Sequence, residues 1–303
     1  MKQQLLIALS ASGEPSELAA VGIGKEHIEE LMVQMSMKLL KGGHRLSYGG
    51  TLGNQKDQLT KYLIQTAQNW LDEEMAEQAD ISKPKTWPLL NYSAWPYFNF
   101  ISPEQRAELV GICQFIDIKP PGVEDADLKP LFENWKTDAE AKYHTSNALT
   151  EMRKVSAVEA DLRVVWGGKI AKAAGWMAGI VEEIASSLEQ DKPTLILGGF
   201  GGCAGLVAEF LANKNNTWPD ALELKGCADP DRDNLMSSTE KKSLRNRFAK
   251  IKQQFESYRS KLHGRSKING VSPTILLDLL SEKSPRIVIK TVANLAELTV
   301  NQK

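Results

Sequence analysis

Short, almost unbroken apolar runs alternate along this chain with longer segments of helical spacing. The run at 5–9 (Leu-Leu-Ile-Ala-Leu) is bounded by Ser10-Ala11-Ser12-Gly13 and reads as a buried strand followed by a loop of small residues. Over 25–40, Ile28, Leu31, Met32, Met35, Leu39 and Leu40 recur at helical intervals, and Gly42-Gly43 ends the segment. Residues 45–48 predict a second strand, after which Gly49-Gly50-Thr51-Leu52-Gly53 opens onto a helix carrying Leu59, Tyr62, Leu63 and Ala67. Strand, helix, strand, helix is the opening of a doubly wound parallel sheet.

Residues 70–135 break the pattern with Trp70, Trp87, Trp95 and Trp135, scattered prolines and mixed polarity; two short strands near 88–92 and 111–116 are expected among irregular connections. Regular structure resumes with a helix over 139–159, a strand at 162–166, a small-residue loop, a helix over about 178–190, a strand at 193–197 and a helix at 204–211. A strongly charged stretch, 240–263, carries a single apolar stripe at Leu244, Phe248, Ile251, Phe255 and Leu262, and short helices at 273–280 and 285–298 follow. The expected fold is α/β, a Rossmann-like doubly wound parallel sheet over 1–225 with an aromatic and proline-rich insertion at about 70–138. A helical C-terminal extension, 226–303, packs on it.

Composition narrows the function. Lys and Arg (37) nearly balance Asp and Glu (38), so no global basic field gathers nucleic acid or an anionic membrane. Cys113, Cys203 and Cys227 are far apart and the four histidines lack ligand spacing, so neither a disulfide framework nor a metal site is signalled and a reducing cytoplasm is expected. No apolar stretch approaches the roughly 18–20 residues that span a bilayer.

What remains is local chemistry for a small molecule. Gly49-Gly50, Gly167-Gly168 and Gly198-Gly199, the last continuing through Phe200 to Gly201-Gly202, each follow an apolar run. Without a Cβ, such turns let backbone N–H groups approach a phosphate, and a following helix start adds its dipole. Arg153 offers a cation able to hold an oxyanion bidentately; the alternative is surface pairing with Glu151 or Asp161. Lys169 supplies a second charge, or is a solvated loop lysine. Glu182 and Glu183, adjacent on a helix, point about 100° apart and cannot form a two-carboxylate pair; as an alternative they complement the helix dipole. Ser10 and Ser12 are placed to contact phosphate or base, or to cap a turn. For Cys203 and for Trp95, Tyr97, Phe98 and Phe100, core packing is the preferred reading over thiolate chemistry and base stacking.

In order and spacing these segments resemble the SLOG superfamily, named for the DprA/Smf DNA-uptake proteins and the Lonely Guy cytokinin-activating phosphoribohydrolases. Tyr48-Gly-Gly-Thr-Leu-Gly53 is similar to that superfamily's first glycine loop. Met152-Arg153-Lys154 ahead of a strand ending in Gly167-Gly168, with Gly179-Ile-Val-Glu182-Glu183 beyond, resembles the Lonely Guy arrangement of Arg-Lys, Pro-Gly-Gly and Glu-Glu. Here 169–178 is an insertion between the glycine pair and the acids. With Leu197-Gly-Gly-Phe-Gly-Gly202 it resembles the group called cluster 4 of bacterial conflict loci, where the usual Met-Pro-Gly-Ile stands as Met177-Ala178-Gly179-Ile180. That resemblance covers most of 1–225 and 269–298 and leaves 85–135 and 240–263 as departures.

The resemblance implies sensing of a nucleotide-derived small molecule, NAD- or ADP-ribose-like, in antiphage defence, with an effector protein as partner, no required cofactor and a homo-oligomer. The alternative it implies is a phosphoribohydrolase that cleaves an N-glycosidic bond, with Arg153 on the phosphate and Glu182 or Glu183 at the ribose. A third reading, DprA-like handling of single-stranded DNA, is disfavoured by the balanced charge.

Overall fold

A computed structural model describes residues 4–51, 58–77 and 86–300. The strands are β1 (Leu6–Ser12), β2 (Arg45–Tyr48), β3 (Leu89–Ala94), β4 (Cys113–Ile118), β5 (Leu162–Gly167) and β6 (Thr194–Leu197). The helices of the first half are α1 (Pro15–Ala19), α2 (Lys25–Lys41), α3 (Gln58–Glu77), α4 (Pro103–Glu108), α5 (Asp125–Leu128) and α6 (Ala139–Glu159). Those of the second half are α7 (Gly179–Glu189), α8 (Gly202–Ala212), α9 (Pro230–Asn234), α10 (Ser238–Leu262), α11 (Pro273–Ser281) and α12 (Pro285–Val300). All six strands are parallel, in the order β4-β3-β2-β1-β5-β6, which is a Rossmann-like α/β fold.

Parallel strands need crossovers that cover both faces, hence the nearly continuous apolar runs. Leu5, Ile7 and Leu9 pack with Ile28, Leu31 and Met35 of α2, while Leu6, Leu90, Tyr92 and Ala94 pack with Ala148, Leu149 and Met152 of α6. The chain winds outward from β1 to β4 and then returns along α6 to place β5 on the other side of β1. That reversal opens a crevice at the carboxyl ends of β1 and β5.

Two readings of the organisation change. Within the stretch read as an insertion, residues 70–77 finish α3 and residues 86–138 supply β3 and β4, the two outer strands on that side of β1. The C-terminal helices, for their part, enter the main core, where Phe248, Ile251 and Phe255 of α10 and Val288, Val292 and Leu295 of α12 are buried with the sheet residues. No helix among the described residues is long and apolar enough to cross a membrane.

Candidate functional site

A cavity of about 450 Å³ lies at the carboxyl ends of β1, β2 and β3, under α6 and beside the start of α7. β1 brings Ser10 and Ser12 to it, and the turn after β2 brings Gly49, Gly50 and Thr51. That turn is fixed from β3, where the Asn91 amide donates to the carbonyls of Tyr48 (3.1 Å) and Gly50 (2.9 Å). Gly53 lies outside the described residues.

The helix α6 sets Arg153 in the cavity wall, and the start of α7 sets Gly179, Ile180 and Glu183 opposite. No side chain caps α7, and its first residues Gly179 and Ile180 line the cavity, so the positive end of the helix faces it. Arg153 is almost wholly buried, and neither surface alternative holds: Glu151 pairs with Lys154, and Asp161 accepts from the Leu6 N–H at 2.9 Å. Its guanidinium instead pairs with Glu182, and a Cβ added at Gly175 or Gly179 would come within 2.8 or 2.9 Å of it. Those two glycines are what let the 169–178 loop lie flat across the arginine.

The adjacent acids part company as their 100° separation requires. Glu182 is fully buried and saturated: Thr150 donates to it at 2.7 Å, Arg247 of α10 at 2.6 Å, and Arg153 on its other oxygen. Read as a catalytic candidate, it does not line the cavity. Glu183 does, partly exposed, with the Arg163 guanidinium at 3.4 Å and the Arg153 Nε at 3.8 Å. Burial by itself lowers the pKa of Arg153, but Glu182 and Glu183 outweigh it and hold that pKa above the ordinary value. Burial raises the Glu182 carboxyl less than Arg153 and Arg247 lower it, so it stays below the usual carboxylate range.

The glycine pairs are not equivalent. Gly167 and Gly168, with φ of +62° and +93°, turn the chain away from β5, but the Gly168 N–H donates to the Ser12 carbonyl (2.7 Å) and its carbonyl accepts from the Cys203 N–H (2.8 Å). Gly198 and Gly199 abut the carbonyls of Leu280 and Glu282 at the end of α11, and Gly201-Gly202 nest against Val21 and the Gly167-Gly168 turn. None of these six lines the cavity, so their role in the fold is close packing of backbone. Lys169 is at the rim, 3.2 Å from Glu14. Cys203 is fully buried and its thiol is pushed far above its ordinary pKa by burial, which fits core packing. Trp95 is likewise buried and Phe100 packs on Phe132 and Trp135, whereas Tyr97 lines the cavity.

Sequence reasoning missed Arg163. Buried in β5, it donates to Ser10 (2.8 Å), Ser156 (2.9 Å) and Ser187 (2.6 Å) and forms the cavity floor beneath Glu183. A guanidinium inside an otherwise apolar strand was the signal, because such a charge needs buried partners. Ser93 was missed as well; it is buried on the cavity wall, and its hydroxyl has no hydrogen-bond partner among the described residues. Arg232 was the third. Buried between α6 and the loop, it donates to the carbonyls of Gly175 (3.0 Å) and Cys227 (2.8 Å) and stacks 4.4 Å over Trp176. No group of three or more His, Cys, Asp or Glu among the described residues could hold a metal ion.

No curated protein matches this chain. A family model does: that of SLOG cluster2, over residues 1–273. The match runs through 85–135 and the charged helix α10, both read from the sequence as departures, and the narrower likeness to cluster 4 is not confirmed. With a six-stranded parallel sheet of the expected kind and a family match over most of its length, the chain belongs to the SLOG cluster2 family.

Proposed function

We propose that the cavity binds a nucleotide-derived small molecule, NAD- or ADP-ribose-like, and that the protein senses this ligand rather than consuming it. Membership of a SLOG family suggests a nucleotide-related ligand. The observation that carries the reading is the convergence on one crevice of Arg153, Arg163, Lys169 and the uncapped start of α7. Cations and a helix N-terminus at the carboxyl ends of parallel strands are what phosphate recognition requires. Sensing is favoured because Glu182 is locked in an ion network away from the cavity, and Glu183 already has two arginines beside it. A ligand hydroxyl would compete with those arginines for Glu183.

The second reading, an N-glycosidic-bond hydrolase of the Lonely Guy type, is favoured by one fact: Glu183 and Arg153 share the cavity wall. A carboxylate there could stabilise an oxocarbenium-like transition state. Incubation with AMP, NAD and ADP-ribose separates the two. A ligand-dependent rise in melting temperature with no free base on chromatography is the expected result. Base release by the wild type that Glu183→Gln abolishes would replace sensing with hydrolysis. Absence of both a shift and turnover would remove the nucleotide reading. The defence setting belongs to the same proposal and rests on the resemblance to conflict-locus proteins; equal plaque counts on cells with and without the gene would remove it.

A further inference from the structure

A second cavity of about 370 Å³ adjoins the first. Ala173 and Ala174 line both, and Tyr97 on the wall of the first meets Trp135 on the wall of the second edge-on, with ring centroids 5.3 Å apart. The two cavities thus meet at Ala173-Ala174 and at the Tyr97–Trp135 pair.

The second cavity is cationic. Its one acid, Asp229, is paired with Lys142 at 2.9 Å, and the Arg232 guanidinium is occupied by carbonyls and by Asp233. Lys136 and Lys172 remain, both exposed and neither within ion-pair distance of an acid among the described residues. Lys172 has a φ of +54°, which few non-glycine residues adopt, and its N–H is held by the Gly226 carbonyl at 2.8 Å. The loop thus presents that lysine on the side of Ala173-Ala174 facing Trp135. The Trp135 ring is partly exposed and carries the Lys136 Nζ 5.2 Å over it, so a second base would stack there by displacing that ammonium toward an anionic linker, next to a site that takes phosphate.

We propose that the two cavities form one bipartite site for a dinucleotide, two nucleosides joined by a pyrophosphate. One nucleoside occupies the first cavity, the pyrophosphate crosses Ala173-Ala174 between Lys169 and Lys172, and the second base stacks on Trp135. This rests on the reading of the first cavity as a nucleotide site. Each cavity alone is near the lower end of the range of about 300–1,000 Å³ typical of ligand pockets, so the two together accommodate a dinucleotide better than either does.

Isothermal titration of the full chain with NAD and with AMP tests it, on the wild type, Trp135→Ala and Lys172→Gln. Each variant is expected to weaken NAD by about tenfold and leave AMP within about twofold. Retained AMP affinity reports that the variant is folded; because the Lys136 Nζ lies 5.2 Å over the Trp135 ring, Lys172→Gln alone serves as the variant that leaves that ring's contacts in place. Equal losses for NAD and AMP, or no loss for either, would overturn the bipartite site while leaving the first cavity's reading intact. A wild type that binds neither compound overturns both.

Discussion

Replacing Glu182 with Ala removes the carboxylate shared by Arg153 and Arg247 and leaves the buried Arg153 guanidinium under the loop with only Glu183, at 3.8 Å. Breaking a buried pair from one side costs about 3–5 kcal/mol, so Glu182→Ala should lose stability of that size in urea denaturation. Glu183→Gln keeps an amide acceptor beside Arg163 but removes the charge, so it should cost less than Glu182→Ala, about 1–3 kcal/mol, and should also change ligand affinity. The acid limb gives a second reading of Glu182. Its folded pKa lies below the ordinary 4.5, so the stabilisation it brings is complete above that value and fades as pH falls through the folded one. Between neutral pH and about pH 3, the wild type should therefore lose more unfolding free energy than Glu182→Gln. Equal losses would mean that the carboxylate is not stabilised by its arginines. The sequence separates the two acids by a helical step but does not say which faces the crevice. That depends on how α7 is rotated, and the partner that pins it, Arg247, belongs to a helix far along the chain. Arg163 is the opposite case, since a lone charge among the apolar residues of Leu162–Gly167 is enough to advertise a buried polar floor.

At the scale of elements, the 169–178 loop forms part of the cavity's wall and is held by side chains from two helices, α6 and α9. The Ser146 hydroxyl donates to the Ala174 carbonyl (2.8 Å), the Trp176 indole donates to Asn147 (3.0 Å), and Arg232 grips Gly175. Arg232→Ala strands the buried carbonyls of Gly175 and Cys227, at a cost of about 2–4 kcal/mol. Hydrogen exchange should rise in 169–178 before it rises in β5 or α6, because the anchor is lost and the sheet is not. Uniform acceleration across the chain would show instead that the loop has no separate stability. The loop's length and small residues are visible in the sequence, but its clamps are not, because they come from α6 and α9 and leave no local pattern. The strands β3 and β4 have a similar lesson. Local periodicity places them within a few residues of Leu89–Ala94 and Cys113–Ile118, yet the Trp and Pro around them read as an insertion. Strand order is a long-range property, and the buried face of Leu90, Tyr92 and Ala94 under α6 settles it.

For the molecule as a whole, the boundary at 225 expected from the change in composition falls across a single core. The carbonyls of Leu280 and Glu282, at the end of α11, sit against Gly198 and Gly199, where a Cβ would come within 2.3 and 2.2 Å of them. Trp218 stands edge-on between Phe210 of α8 and Phe255 of α10, with both centroid distances 5.3 Å. Phe255 is fully buried, so Phe255→Ala should cost about 3–5 kcal/mol despite lying in the most charged helix of the chain. A chain cut after 225 loses that ring together with Ile251, Leu279 and Val292, and uncovers β6, the edge strand of the sheet, along with Phe210 and Leu211. An uncovered edge strand beside exposed apolar side chains is an aggregation template. It also loses Arg247, one of the two cations on Glu182, so the ion network behind the ligand cavity fails with the core. Residues 1–225 should therefore show no cooperative thermal transition by circular dichroism and should elute as aggregate. A sharp transition and a monodisperse peak from that fragment would mean that α10–α12 are an appendage, and that the cavity's arginines are held by the sheet and α6 alone.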